Sequence, residues 1–240
     1  MRCRDHSSVR TSAPACAHLE IASTGEPPAC HTTHKSSPVK VLLKVADQYQ
    51  IAHCAFATAA EINALAKWSR QSRNVRDPRA GDALEYAALT RKRWRTYLKM
   101  RRTATSVAAL EAKIAADTDA EVAMLAVVKM SEGSRSPVLG FGLFRRTWRN
   151  HLIIDLLASN PFGFDRFGRV GVSLAYFIAS IGETIGAKFI WGEATAGSAA
   201  FYEKTFGVPV DDLFRIEASV YLRFKARYLA RWRKSGLPQL

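Results

Sequence analysis

His151–Gly207 reads HLIIDLLASNPFGFDRFGRVGVSLAYFIASIGETIGAKFIWGEATAGSAAFYEKTFG. Its first nine residues, His151–Ser159, are an apolar run of strand length. A loop follows, Asn160–Arg169 (NPFGFDRFGR), and a helix opens near Gly171. Leu174, Phe177, Ile178, Ile181 and Ile185 share one face of that helix, and Gly186 ends it. Ala187–Gly192 (AKFIWG) predicts a short buried strand, and Ser198–Phe206 a short helix stopped by Gly207 and Pro209. A strand feeding a glycine- and arginine-bearing turn at a helix start has a physical use. The unpaired N–H groups and the helix dipole together favour a phosphate or pyrophosphate. Gly168 and Gly171 allow close backbone approach, and Arg166 and Arg169 add charge there. No GxxxxGK[ST] and no complete GxGxxG is present, which disfavours a nucleoside triphosphatase and a dinucleotide fold.

Upstream, Glu121–Met130 (EVAMLAVVKM) is apolar on both faces, as a central strand is. With Val138–Arg146 (VLGFGLFRR) and His151–Ser159 it predicts an antiparallel meander joined by short turns. Val39–Val45 predicts a first strand. Tyr49–Arg70 reads as a helix, with Ile51, Ala55, Ala59, Ile62 and Ala66 at helical intervals. Gln71–Gly81 reads as a charged linker, Asp82 as the cap of a second helix, and Val107–Ala116 as a shorter helix. Downstream, Leu213–Phe224 alternates Phe214, Ile216, Ala218, Val220, Leu222 and Phe224 with polar residues, which predicts a half-buried last strand. The fold expected is α/β, or α+β: a mixed, centrally antiparallel sheet with flanking helices.

Arg166-Phe-Gly-Arg-Val-Gly171, followed by its amphipathic helix, resembles the acetyl-CoA loop of the GNAT acyltransferase superfamily, usually (Arg/Gln)-x-x-Gly-x-(Gly/Ala). Arg166 and Gly171 match. Arg169 stands where the middle glycine is usual, and the spacing from Pro161 to Arg166 is about two residues longer. Trp191–Gly207 is similar to the late strand and helix of that family, N-x-x-A-x-x-x-Tyr-x-x-x-Gly-Phe. Tyr202 falls on the tyrosine, Thr195 on the asparagine and Ser198 on the small residue, while Phe206-Gly207 reverses the last pair. The resemblance implies a GNAT-like domain over residues 38–224 and transfer of acetyl from acetyl-CoA to an amine by direct attack, with no metal. It implies that Arg166, Phe167, Gly168, Arg169, Val170 and Gly171 cradle the CoA pyrophosphate. It implies that Leu157 and Ala158 hydrogen-bond the pantetheine arm. Tyr202 would protonate the leaving thiolate, and Glu193, then Asp155, are the candidate bases. The readings without chemistry are a core tyrosine, a capping or salt-bridging Glu193, an Asp155 satisfying backbone donors, and solvated loop arginines.

The chain has 240 residues and a net charge of +14, from 35 Lys+Arg and 21 Asp+Glu. Arg91–Arg102 holds seven bases and no acid, and Arg223–Lys234 holds six and no acid. Outside these stretches 22 bases face 21 acids, so the body is nearly neutral. The first stretch belongs to a basic helical segment, 82–116, and the second to a basic C-terminal tail, 225–240. Both interleave aromatics with bases. They read as a solvated basic face, as an RNA or DNA contact on a catalytically weakened scaffold, or as a membrane-surface contact. A nucleic-acid-associated acceptor would join both themes. Otherwise the acceptor is a small-molecule or protein amine, and a homodimer stays open.

Residues 1–37 lack Phe, Trp and Tyr and predict a disordered leader without the apolar stretch of a secretory signal. Cys3, Cys16, Cys30 and four histidines lie there, and Cys30, His31 and His34 are close, yet no paired zinc-module spacing occurs. Cys54 reads as a small buried residue. The cysteine usage suits a reducing, cytoplasmic setting. No apolar run approaches the ~20 residues of a membrane-spanning helix.

Overall fold

The computed structural model describes residues 37–70, 78–132, 136–163 and 166–238. The leader expected over 1–37, with its cysteines and histidines, falls outside them except for Ser37, as does most of the 71–81 linker.

The chain opens with a hairpin. β1 (Val39–Val45) turns at Ala46, whose φ of 52° is left-handed, and returns as β2 (Gln48–Phe56), from Val45↔Gln48 to Val39↔Cys54. The helix expected from Tyr49 therefore begins only at α1 (Ala59–Arg70). Ala52, Cys54 and Phe56 are buried at a strict period of two, and alanine at 55 and 59 satisfies either period. Thr58 caps α1. Its N–H and its hydroxyl both donate to Glu61, three residues on. α2 (Pro78–Lys99) begins with proline at its first position, where the missing N–H costs nothing. Asp82 thus lies inside the helix and does not cap it.

β3 (Thr103–Ala104) and α3 (Val107–Ala116) lead into the meander β4 (Val122–Lys129), β5 (Val138–Arg146) and β6 (Leu152–Ser159). β7 (Phe167–Gly168), α4 (Val170–Thr184), β8 (Phe189–Glu193), α5 (Ala199–Phe206), β9 (Leu213–Glu217) and α6 (Ala218–Lys234) complete the chain. The sheet runs β7-β1-β2-β4-β5-β6-β8-β9, with β3 beside β4. Its pairs are antiparallel except β3–β4 and β6–β8. Every residue of β4 is buried. Met124, Ala126 and Val128 join the core under α4 and α6, and Ala123, Leu125 and Val127 the core under α1 and α2. The expected mixed, centrally antiparallel sheet between helical layers is what forms.

The last strand is shorter than its alternation predicts. It ends at Glu217, and residues 218–234 form α6 in place of a basic tail. Tyr221, Phe224, Tyr228 and Trp232 are spaced three and four apart, and they are the residues α6 buries. The Tyr221 hydroxyl donates to the Ala187 carbonyl at 2.7 Å, and the Tyr228 hydroxyl accepts from the Leu42 N–H at 2.6 Å. Ser173 Oγ donates to the Leu42 carbonyl at 2.8 Å, so both polar groups of Leu42 are met by side chains. Tyr228→Phe strands the Leu42 N–H in the core and is expected to cost about 1–3 kcal/mol. Urea unfolding with an unchanged slope measures it.

Candidate active site

β6 and β8 pair in parallel only at Leu152↔Ile190, Ile153↔Trp191 and Ile154↔Gly192. Two features end that pairing. β6 carries a bulge at Asp155, between Phe144↔Ile154 and Leu143↔Leu156. Gly192 approaches so closely that a Cβ there would sit 2.7 Å from the Ile154 carbonyl oxygen. Beyond the bulge, Leu156–Ser159 pairs with β5 alone, and its edge toward β8 is open. The N-terminus of α4 stands beside this opening.

A cleft of about 850 Å³ occupies the gap. Leu157 and Ala158 of β6 line it, with Phe167, Gly168, Arg169, Val170 and Gly171 at the helix start. Arg169 holds the left-handed conformation, φ 72°, immediately before α4. Its guanidinium donates to the Tyr49 hydroxyl at 3.0 Å and lies 5.8 Å from that ring, while its buried Nε has no hydrogen-bond partner among the described residues. β7 ties this loop to the sheet edge through Lys44↔Gly168 and Val45↔Phe167. Gly171 is needed for closeness, because a Cβ would meet the Phe201 ring of α5 at 3.0 Å. Arg166 is exposed, lies 5.9 Å from the Phe167 ring and does not line the cleft.

Tyr202 lines the same cleft and is 5% exposed. It stacks on Phe214 at 4.0 Å, and its hydroxyl makes no hydrogen bond among the described residues. Burial pushes its phenol well above the ordinary tyrosine range, and Tyr86 adds to the shift. The two carboxylates expected as bases are not with it. Asp155 points to the α2 side of the sheet, where Arg145 Nε donates to both its oxygens at 3.1 Å and Arg93 lies 3.9 Å away. Burial raises its pKa and Arg145 opposes that rise. It fastens the bulge and does not line the cleft. Glu193 is exposed at the end of β8, outside the cleft and without an ion pair among the described residues.

Other residues do line it. Asp82 and Tyr86 come from one face of α2, Lys44 from β1, Lys204 from α5, and Arg227 and Arg231 from α6. Asp82 is the one carboxylate among the described lining residues. Arg227 also donates to the Thr205 and Phe206 carbonyls at 3.3 and 3.1 Å, which satisfies the C-terminus of α5. Part of the second basic stretch thus belongs to this cleft and not to a separate surface. The signal for it was present in the spacing of Tyr221, Phe224, Tyr228 and Trp232. Cys54 is wholly buried, with no disulfide among the described residues, and burial pushes its thiol up, so it is a packing residue. Among the described residues no cluster of metal-ligating side chains occurs, and no helix is long and apolar enough to cross a membrane.

The cleft therefore combines five bases and a helix start, which suit a polyanion, with an open strand edge and a buried phenol. No protein-family profile and no curated protein matches the sequence. Solved structures similar to it are acetyltransferases. FdhC, a nucleotide-linked sugar GNAT, aligns over 80% of this chain and 97% of its own at 10% identity and a TM-score of 0.46. An acetyltransferase of Salmonella typhimurium, solved with its cofactor acetyl-CoA, aligns over 70% and 94% at 10% identity and a TM-score of 0.41. Nourseothricin acetyltransferase aligns over 40% of this chain at 16% identity and a TM-score of 0.32, and the match spans 65% of that enzyme's length.

Proposed function

We propose that the protein transfers an acetyl group from acetyl-CoA to a primary amine. The observation that carries this reading is the meeting of the open β6 edge, the N-terminus of α4 and Tyr202 in one cleft. The residues suit acetyl-CoA chemically. The amides at the start of α4 and the cations Lys44, Arg169, Lys204 and Arg231 suit its phosphates. The N–H and carbonyl of Leu157, which the register with β5 turns to the open edge, suit an amide-bearing arm laid along the strand. Acetyl-CoA supplies the activated acyl group. As the amine nitrogen bonds to the acyl carbon and the carbon–sulfur bond breaks, the Tyr202 hydroxyl gives its proton to the departing sulfur. A raised pKa keeps that phenol protonated across the neutral range. The proton lost by the amine needs an acceptor. Because Glu193 and Asp155 lie outside the cleft, Asp82 takes that role, directly or through water.

Calorimetric titration of the whole chain with acetyl-CoA tests the reading. Saturable binding, weakened about tenfold by Arg231→Gln through loss of one charge-assisted contact, is expected. Absence of binding at millimolar ligand overturns it. Release of free thiol with a panel of amines then identifies the acceptor, and Asp82→Asn is expected to lower kcat by about 10²-fold with every amine through loss of the proton acceptor.

A further inference from the structure

A second concavity, of about 950 Å³, shares no lining residue with the first. It sits at the other end of β6, around the β5–β6 turn and the start of β8, and continues onto the face of β8 and β9. Along β6 the two places lie about 17 Å apart, and the Phe214 ring, stacked on Tyr202 at 4.0 Å, forms part of the wall between them. The aromatic side chains here are Trp148, Phe189, Trp191 and Phe214, and the cations are Arg146, Arg149, Lys188 and Arg215. Trp148 is 58% exposed and Leu213 60%.

The platform is built, not scattered. Asn150 holds a left-handed φ of 57° and its side-chain amide donates to the Ile185 and Gly186 carbonyls, each at 3.0 Å. The Lys188 N–H donates to the Asn150 carbonyl at 3.0 Å, and the Lys188 carbonyl accepts from Ala218 at 3.2 Å. The turn carrying Trp148 and Arg149 is therefore fastened to the strand carrying Lys188, Phe189 and Trp191. The guanidinium of Arg149 lies 4.5 Å from the Trp148 ring, and that of Arg215 lies 3.8 Å from the Phe189 ring. Arg149, Lys188 and Arg215 make no ion pair with a carboxylate among the described residues. Their charges converge: burial lowers the pKa of His151, at the floor, and Arg215, Lys188 and Arg149 lower it further. The acid lining the site, Asp119, stands on the side of Arg146, whose guanidinium is taken up by Asn150 and the Ala120 carbonyl.

Flat aromatic surfaces beside unneutralised cations fit a ligand that is planar at one end and anionic at the other. We propose that this concavity binds a free nucleoside monophosphate, its base stacked on the tryptophans and its phosphate held by Arg149, Lys188 and Arg215. The site stands apart from the acetyl-transfer cleft and does not depend on that assignment.

Tryptophan fluorescence tests it. Trp68, Trp94 and Trp232 are buried, so quenching by a stacked base reports Trp148 and Trp191. The whole chain is titrated with guanosine monophosphate. Saturable quenching is expected, unchanged in Arg231→Gln of the first cleft. It weakens about tenfold in Lys188→Ala and in Arg215→Gln, each losing one charge-assisted contact. Lys188 is exposed, so its variant keeps the wild-type thermal melt. Three outcomes overturn the proposal. The first is no saturable quenching at millimolar nucleotide, and the second is quenching weakened as much by Arg231→Gln, in the first cleft, as by Lys188→Ala or Arg215→Gln. The third is a single-stranded oligonucleotide binding far more tightly with the same variant sensitivity, which would make the ligand a strand.

Discussion

Tyr202→Phe is expected to lower the rate of acetyl transfer by about 10²-fold or more and to leave acetyl-CoA affinity unchanged, because it removes a proton donor and no contact surface. The ring keeps its stacking on Phe214 at 4.0 Å and its place beside Phe201. The hydroxyl makes no hydrogen bond among the described residues that its loss would break, so stability is expected to hold. A purely structural tyrosine would give the opposite pattern, with stability moving and the rate constant for chemistry standing still. The pH profile separates them further. With the phenol pushed well up by burial, the wild-type rate should show no alkaline loss near the ordinary tyrosine pKa. Stopped-flow thiol detection at saturating acetyl-CoA provides the rate, and calorimetry the affinity.

The second large effect concerns stability. Lys129 Nζ lies 2.6 Å from Glu61 Oε1, with both side chains under 10% exposed. Burial alone would push the Glu61 carboxyl up, but the Lys129 ammonium and the two Thr58 donors outweigh it and hold it below the usual carboxylate range. Its contribution is thus present above the unfolded carboxylate pKa and is lost as pH falls through the lower folded value. Lys129→Met leaves the carboxylate buried with only its cap and is expected to cost about 3–5 kcal/mol at neutral pH. In the variant the folded pKa of Glu61 rises above its unfolded value. The gap to wild type should therefore shrink as the solution is acidified. Urea unfolding at neutral and mildly acidic pH measures both the cost and its sign.

Much of the fold was legible because several segments obey one period only. β4 is apolar at every position, α4 keeps Leu174, Phe177, Ile178 and Ile181 on one face, and α3 runs over the residues expected. The errors fall where two periods coincide. In Tyr49–Ala59 the alanines satisfy a helical interval and a strand alternation equally, and the hairpin turn at Ala46 decides between them. In Leu213–Phe224 six apolar residues alternate, yet Tyr221 and Phe224 are also the first two members of the stripe that continues to Tyr228 and Trp232. Burial of four aromatics against α4 and β1 outweighs seven more residues of edge strand. The cleft divides in the same way. Leu157, Ala158, Gly171 and Tyr202, which the resemblance implies from motifs local in the chain, do line it. Asp155 is a candidate by its strand face and Glu193 by its place at a strand end, but what lies across from a strand is a long-range fact. Arg145 claims Asp155, and α2 brings Asp82 in its place.

The early end of β9 also bears on how copies of this chain meet. A strand at the margin of a sheet offers a row of unused N–H and C=O groups, and its length sets how well it templates a neighbour. Twelve extended residues would expose a margin of about 40 Å, and the five that remain expose about 17 Å. Arg215 and Glu217 place charges along what is left, and α6 folds the remaining backbone onto itself, where the carbonyls before the last turn are taken up within the helix. Turning at Ala218 converts a surface prone to edge-to-edge aggregation into one that resists it.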